Sequence, residues 1–409
     1  MDAWLAALTL SAGYNTRLVT LGALLLGAAA GMVGSHVLLR QRALISDAVS
    51  HATLPGLAAA FILIALVQGD GRWLPGLLLG AAASAALGLA AVQAMSRHTR
   101  LGEDSAIGAV LSVFFGLGVV LLTVIQAMPV AGQAGLSGYL VGATAGMLAS
   151  EAYLLGAMAL GLLVALVILR RPLLLLCFDP EHAWTQGVDL RRTDTWLLGL
   201  LLAVTVVGLR VTGLILIVAL TIIPPVTARF WTDRPHALVV IAAGAGALAG
   251  YLGVTLSSVH PRLPSGALVV LAAFTLFLVS LLIAPRRGLL AHLVDRYRFV
   301  RRVHCRQGLL ALARGEAIFD PTTLRILRRL GHIRRDGLAT AQGRAAARDA
   351  HQEERLWTYY RHAYPEEAAQ LGSRRLEPIS RLLPPDLIDE LERRLPPESG
   401  DQGVSGGRR

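Results

Sequence analysis

The chain contains no lysine; all 38 of its basic Lys+Arg positions are arginines. A Walker A phosphate loop places a lysine on the β- and γ-phosphates, so if ATP drives this protein, another chain must hydrolyse it. Cysteine is nearly absent too. Cys177 and Cys305 lie far apart, which supports neither a disulfide framework nor a cysteine metal cluster. The N-terminus lacks the charged start, short apolar core and small-residue cleavage site of a secretory signal. Charge is scarce as well: 16% of 409 residues against 54% hydrophobic. With a mean hydropathy of +0.58, that balance excludes an ordinary soluble protein of this length.

What is present divides into two unlike parts. Long apolar runs fill the sequence before Pro285, and Arg, Glu and Asp crowd the stretch after it. We expect a transmembrane part over 1–287 and a cytoplasmic, arginine-rich helical part over 288–409 that ends in a disordered tail. A bilayer core about 30 Å thick needs about 20 apolar residues per helix. That ruler predicts about nine spans, near 18–39, 44–67, 74–95, 106–126, 151–170, 193–209, 211–229, 237–256 and 265–284. The pair meeting between Gly208 and Gly213 has room for a tight turn only. The fold class is therefore all-α: a polytopic helical membrane protein with a small soluble domain.

The net charge of +11 points to nucleic acid in a soluble protein, but here much of the arginine flanks apolar segments. Orientation explains that placement, because cytoplasmic loops are enriched in positive residues. With the N-terminus outside, Arg40, Arg42, Arg97, Arg100, Arg170, Arg171, Arg191, Arg192, Arg229, Arg234, Arg286 and Arg287 fall inside. Arg17, Arg72, Arg210 and Arg262 fall outside. The C-terminal part is then cytoplasmic, and nucleic acid is not an expected partner.

Small residues recur at close-packing spacing, as in Gly27 and Gly31, Gly76 and Gly80, or Gly246 and Gly250. The glycine-rich segment from Gly135 to Gly146 is too short for a full span and reads as a broken or re-entrant helix.

Among residues that can carry chemistry, Asp47 and His51 stand four apart. On a helix they share one face and can grip a cation between a carboxylate oxygen and an imidazole nitrogen. Ionisable groups inside a span are costly, which favours a functional reading. The alternative is a satisfied helix start, with Ser46 or Asp47 as N-cap and His51 bonded to a neighbouring helix. Pro55 and Gly56 are expected to loosen the helix just beyond the pair. Glu103, Asp104 and Glu151 read as helix-start charges. The loop from Arg170 to Arg192 holds Asp179-Pro180-Glu181, a helix start, and Gly187, its stop. Such a helix can dock onto a cytoplasmic motor or simply connect two spans. His260, in an external loop, is a weaker candidate for touching a delivered metal.

These segments together resemble the permease family of zinc, manganese and iron ABC importers. The resemblance runs through Asp47-Ala-Val-Ser-His51 with Pro55-Gly56, then Glu103-Asp-Ser-Ala-Ile-Gly108 leading to Phe114-Phe115, then Gly135 to Gly142. It continues through Phe178-Asp-Pro-Glu181 with Ala183 and Gly187, Gly213-Leu-Ile-Leu216 with Pro224 and Ala228-Arg229, and Leu263-Pro-Ser-Gly266. It implies an inner-membrane transport subunit rather than an enzyme, with two permease copies or paralogues around a central path. ATP would be hydrolysed on separate ABC ATPase subunits, and an extracytoplasmic metal-binding lipoprotein would deliver the ion. By the same resemblance, Asp47 and His51 are the coordinating pair for the transported ion, with no cofactor bound permanently. Phe178, Asp179, Glu181, Ala183 and Gly187 form the coupling element, and Pro55, Gly56 and Pro224 are pore or gate candidates. A stand-alone secondary carrier and a membrane-tethered metal-responsive regulator are the competing classes.

The soluble part more weakly resembles metalloregulators of the diphtheria-toxin-repressor type. A helical stretch from His304 is followed by Asp320-Pro-Thr-Thr323 opening a helix through Leu330, a stub of wing to Thr340, and helices over 348–360 and 374–395. At the metal positions of that family this chain keeps only Glu377 in one site and neither ligand in the Glu354 to Thr358 stretch. An interaction or regulatory role is therefore expected rather than metal sensing.

Overall fold

In the computed structural model, residues 13–68, 73–128, 149–259, 263–285, 287–371 and 378–395 are described. The expected re-entrant segment at 135–146, the His260 loop and the tail after residue 395 lie outside them. The chain divides into two compact units, 1–291 and 292–409.

The first unit is built of helices because a backbone in hydrocarbon must satisfy its own N–H and C=O groups. In order these are α1 (Gly13–Leu39), α2 (Leu44–Gln68), α3 (Leu74–His98), α4 (Glu103–Ala127), α5 (Ala149–Ile168), α6 (Arg170–Phe178), α7 (Pro180–Thr185), α8 (Leu190–Thr212), α9 (Leu214–Arg229), α10 (Pro235–Val259) and α11 (Ser265–Ile283). Eight of them, α1 to α5, α8, α10 and α11, are long and apolar enough to cross a membrane. Where a ninth full-length span was expected, α9 is shorter: it has 16 residues, or about 24 Å at 1.5 Å per residue, against a ~30 Å core. The reason is local. Helix α8 runs on to Thr212, and Gly213, with φ +80°, turns the chain directly into α9.

Helix α1 lies at the centre, packed against α5, α8, α9 and α10. Leu26, Val33, Leu155, Leu201 and Ile217, from α1, α5, α8 and α9, are fully buried in one core. Glycines set the closest approach: a Cβ on Gly27 would run into the Gly246 carbonyl, and one on Gly31 into the Ala242 carbonyl. A second core joins α2 to α3, where Gly56 meets the Gly80 backbone. Between helices in lipid the hydrophobic effect offers no net drive, so close van der Waals packing of this kind helps decide which surfaces pair.

The second unit holds most of α12 (Leu289–Ala313), then α13 (Pro321–Arg329), α14 (Ala341–Ala363), α15 (Pro365–Gln370), a 3-10 turn (Ile379–Arg381) and α16 (Pro385–Arg394). Asp320 caps α13, its carboxylate accepting from the Thr322 and Thr323 N–H groups. Where a wing was expected, the described residues show a single antiparallel bridge, Ile333 to Ala339. The helix expected over 374–395 is replaced, in its described portion, by the 3-10 turn and α16, because Pro378, Pro384 and Pro385 each deny the backbone a donor. A core of Leu356, Trp357, Tyr360, Ile379 and Leu391 closes this unit.

Gly27→Leu should separate α1 from α10 and cost at least about 1–3 kcal/mol. The control is Gly161→Leu, because nothing stands within 4 Å of that missing Cβ. Thermal unfolding in detergent should show the midpoint falling for the first variant and holding for the second.

Candidate metal site and its mechanical surroundings

Helix α2 starts abruptly after α1. Gln41 takes a left-handed φ of 59°, the Arg42 N–H donates to the Val37 carbonyl, and α2 begins at Leu44. Asp47 and His51 then fall one turn apart, with His51 Nε2 3.3 Å from Asp47 Oδ1. Two ligands about 2.0–2.1 Å from a tetrahedral cation lie about 3.4 Å apart, so both can bind one ion with little movement. The Asp47 side chain is 37% exposed and that of His51 20%, which leaves the pair open on one side. Phe115 of α4 meets the imidazole edge-on, with ring centroids 5.0 Å apart. His51 Nδ1 is buried without a hydrogen-bond partner among the described residues.

Of the helix-start alternative, capping by Ser46 or Asp47 is not seen, because α2 begins at Leu44, before both of them, while Asp47 does stand in its first turn. Ser46 Oγ is buried without a partner among the described residues, so it caps nothing, and the Asp47 carboxylate turns to His51. No group of three or more His, Cys, Asp or Glu residues among those described can hold a metal. Asp47 and His51 therefore stand as a pair, with no third such side chain beside them among the described residues.

Helix α2 runs unbroken through Pro55 to Gln68, contrary to the expected loosening. Pro55 is buried and packs against Gly118 of α4, where a Cβ would strike Leu54 and the proline ring. Lacking an N–H, Pro55 still withholds the i→i+4 bond from the His51 carbonyl. Gly56 serves the α2–α3 contact. Pro224 is buried within α9, which packs against α1 and α2. His260 lies outside the described residues.

A set of ion pairs that sequence reasoning missed fixes the base of α2. The Arg42 guanidinium holds both carboxylate oxygens of Asp194 on α8, at 3.1 and 2.9 Å, and its Nε lies 2.9 Å from Glu103 Oε1 on α4. Arg40 reaches Asp194 at 3.6 Å and donates to the Leu176 carbonyl of α6 at 3.3 Å. Asp194 is buried. Glu103 is therefore a bridging ligand as well as a helix-start charge. The partners are 152 residues apart for Arg42 and Asp194, and no local spacing announces such a pair.

The expected short helix forms as α7. The Asp179 carboxylate accepts from the His182 N–H at 2.9 Å, Pro180 fills the first turn, and Gly187, with φ +74°, ends it. Ala183 is fully buried beneath, while Glu181 faces solvent and the rings of Phe178 and Trp184 are 59% and 79% exposed. Leu176, which receives Arg40, is two residues before Phe178. A continuous run of contacts thus leads from α7 through Leu176, Arg40, Asp194 and Arg42 to the start of the helix that carries Asp47.

Arg42→Ala leaves Asp194 held only by Arg40, and should destabilise the fold by on the order of 3 kcal/mol. Adding Asp194→Asn should recover part of that loss. Chemical or thermal unfolding of the two single variants and the double variant measures the coupling. Next to this network, burial pushes the Cys177 thiol up to about 11, the nearby Arg40 charge opposing it. In a Cys305→Ser background, maleimide labelling of Cys177 should be slow at neutral pH and rise roughly tenfold per pH unit through the range where an ordinary thiol levels off.

Residues 14–284, from α1 through α11, match the profile of the ABC 3 transport family. The manganese transport system membrane protein MntC of Bacillus subtilis is 40% identical over 298 residues, covering 73% of this chain and 67% of that protein. The zinc transport system membrane protein TroC of Treponema pallidum is 37% identical over 293 residues, covering 72% of this chain and 97% of that protein. Among solved structures, PsaBC from Streptococcus pneumoniae in complex with Fab superposes with a TM-score of 0.59 at 28% identity, over 67% of this chain and 94% of that one. A chain whose membrane part follows one family pattern from its first described helix to its last span belongs to that family, the ABC 3 transport family.

Proposed function

We propose that this chain is the membrane permease subunit of an ABC importer that carries a divalent transition metal, manganese, zinc or iron, across the inner membrane. The observation that carries the reading is the Asp47–His51 pair: a carboxylate and an imidazole 3.3 Å apart, one turn apart in an apolar helix. A nitrogen and an oxygen ligand suit all three metals, and relatives named for manganese and for zinc transport fit that breadth.

The permease works as a dimer of copies or paralogues, and the second copy's equivalent pair completes the shell that one chain leaves half open. An extracytoplasmic metal-binding lipoprotein delivers the ion. ATP is hydrolysed by separate cytoplasmic ATPase subunits, in keeping with the absence of lysine from this sequence. The arginine distribution favours an N-terminus outside and a C-terminal unit in the cytoplasm; because the eight long helices alone would leave both termini on one side, this topology has the short α9 complete one further crossing, the bilayer thinning around it. The linkage of Arg40, Arg42, Glu103 and Asp194 supports that topology, because it gathers three segments assigned to the inner side at one end of the bundle. Helix α7 and the end of α6 before it form the surface on which the ATPase acts, the exposed rings of Phe178 on α6 and Trp184 on α7 seating in the motor. Movement of α7 reaches α2 through Arg40 and Arg42, and the two states differ in which side of the membrane the bound ion can reach.

In a reconstituted complex with its ATPase, Asp47→Ala and His51→Ala should each bring metal uptake to the background of empty vesicles, with the complex still assembled by size-exclusion chromatography. Normal uptake by either variant removes the site from the pathway. Uptake by this chain alone, in vesicles without any ATPase, makes it a secondary carrier instead.

A further inference from the structure

Helix α12 follows the last span closely. Between Ile283, the end of α11, and Leu289, the start of α12, stand five residues, Ala284 to Gly288. They extend at most about 17 Å, so α12 begins within headgroup distance of the end of α11.

The first half of α12 is two-faced. Leu289, Leu293, Tyr297 and Val300 recur at i, i+4, i+8 and i+11, with Leu290 and Val294 beside them, and these six residues form one stripe. Arg296 flanks one edge of the stripe and Arg298 the other, Arg301 stands on the Val294 side of the stripe itself, and Asp295, Arg302 and the exposed Phe299 lie opposite. All six apolar residues are exposed, between 39% for Val300 and 62% for Tyr297. The same stripe continues into the second half of the helix, where it is covered. His304 Nδ1 lies 2.9 Å from Thr323 Oγ1, and a Cβ on Gly308 would meet the Leu327 and Thr323 side chains of α13. The protein thus covers the stripe from His304 onward and leaves the roughly four turns before it bare.

We infer that residues 289–302 of α12 lie in the plane of the membrane surface, with the Leu289–Leu293–Tyr297–Val300 stripe sunk among acyl chains and Arg296, Arg298 and Arg301 on anionic lipid headgroups. Continuity with α11 delivers the helix to that depth. The arginines at both edges of the stripe match a surface of negative charge, their methylene stems lying along the apolar boundary while the guanidinium heads reach phosphate. A second copy of α12 or a soluble partner would be an alternative cover for the stripe, but neither explains cationic side chains along both of its borders. The inference requires only that α11 crosses the bilayer, so a failed transport assay leaves it standing.

The test uses the full chain, with Cys177→Ser and Cys305→Ser, in nanodiscs of phosphatidylethanolamine and phosphatidylglycerol. A nitroxide is placed singly through Leu293→Cys, Tyr297→Cys, Asp295→Cys and Arg302→Cys, and its collision with oxygen, which partitions into lipid, is compared with collision with a water-soluble nickel chelate. Labels at 293 and 297 should favour oxygen, those at 295 and 302 should favour nickel, and the contrast should shrink in discs of phosphatidylcholine alone. Nickel access at all four positions overturns the proposal, as does shielding of 293 and 297 from both reagents, which would place protein over the stripe. Equal contrast in the neutral discs overturns the role given to the arginines.

Discussion

One guanidinium holding carboxylates from two other helices sets where α2 stands. Arg42 donates from Nη1 to both carboxylate oxygens of Asp194 and meets Glu103 with its Nε, so the start of α2, together with α4 and α8, is tied at a single point at one end of the bundle. Planar, multi-donor geometry is what arginine offers and an ammonium does not. The Coulomb attraction is worth more here than at a free surface because Asp194 is buried, and desolvation makes each partner costly to leave alone. Asp47 and His51 follow on the same helix within three turns. Their presentation toward α4, where Phe115 meets the imidazole, depends on that anchor.

The pair itself is open in energetic terms. A buried nitrogen without a partner costs about 1–3 kcal/mol, and His51 Nδ1 is in that position, while Asp47 meets His51 and little else. Elsewhere the first unit satisfies its polar side chains locally: Ser35, Ser50, Thr205 and Thr227 each return a hydroxyl to a carbonyl one turn back. Among the described residues, His51 Nδ1 shares its unpartnered state with Ser46 Oγ and Arg40 Nε, all three at or near the start of α2. That is the condition expected of a transient resting place, since a fully satisfied site would have no affinity to offer and a complete cage would not let go.

The features legible in the sequence were those governed by short spacing. Apolar run length placed the eight long helices, the i,i+4 interval put Asp47 and His51 on one face, and Asp179 with Gly187 marked both ends of α7. Glycine spacing foretold the contacts of Gly27, Gly31 and Gly246. What was missed depends on partners far along the chain or on competition between local rules. The Arg42–Asp194 pair joins residues 152 apart. Arg42 was read as an orientation signal, which accounts for its side of the membrane and not for its bonds. Pro55 lies in a helix that stays continuous because α3 and α4 press on it through Gly56 and Gly118. The 211–229 run was counted as a full span since its apolar length includes the turn at Gly213. In the soluble part, three prolines broke a helix that periodicity alone would have drawn through them.

The exposed rings of Phe178 and Trp184 bear on how such a complex is put together. Aromatic side chains standing in water next to a well-capped, rigid turn form a sticky flag, and burial against a motor would hide it. Under the proposed function, the two rings that receive force in the finished machine are thus apolar surface left bare on any copy without its motor.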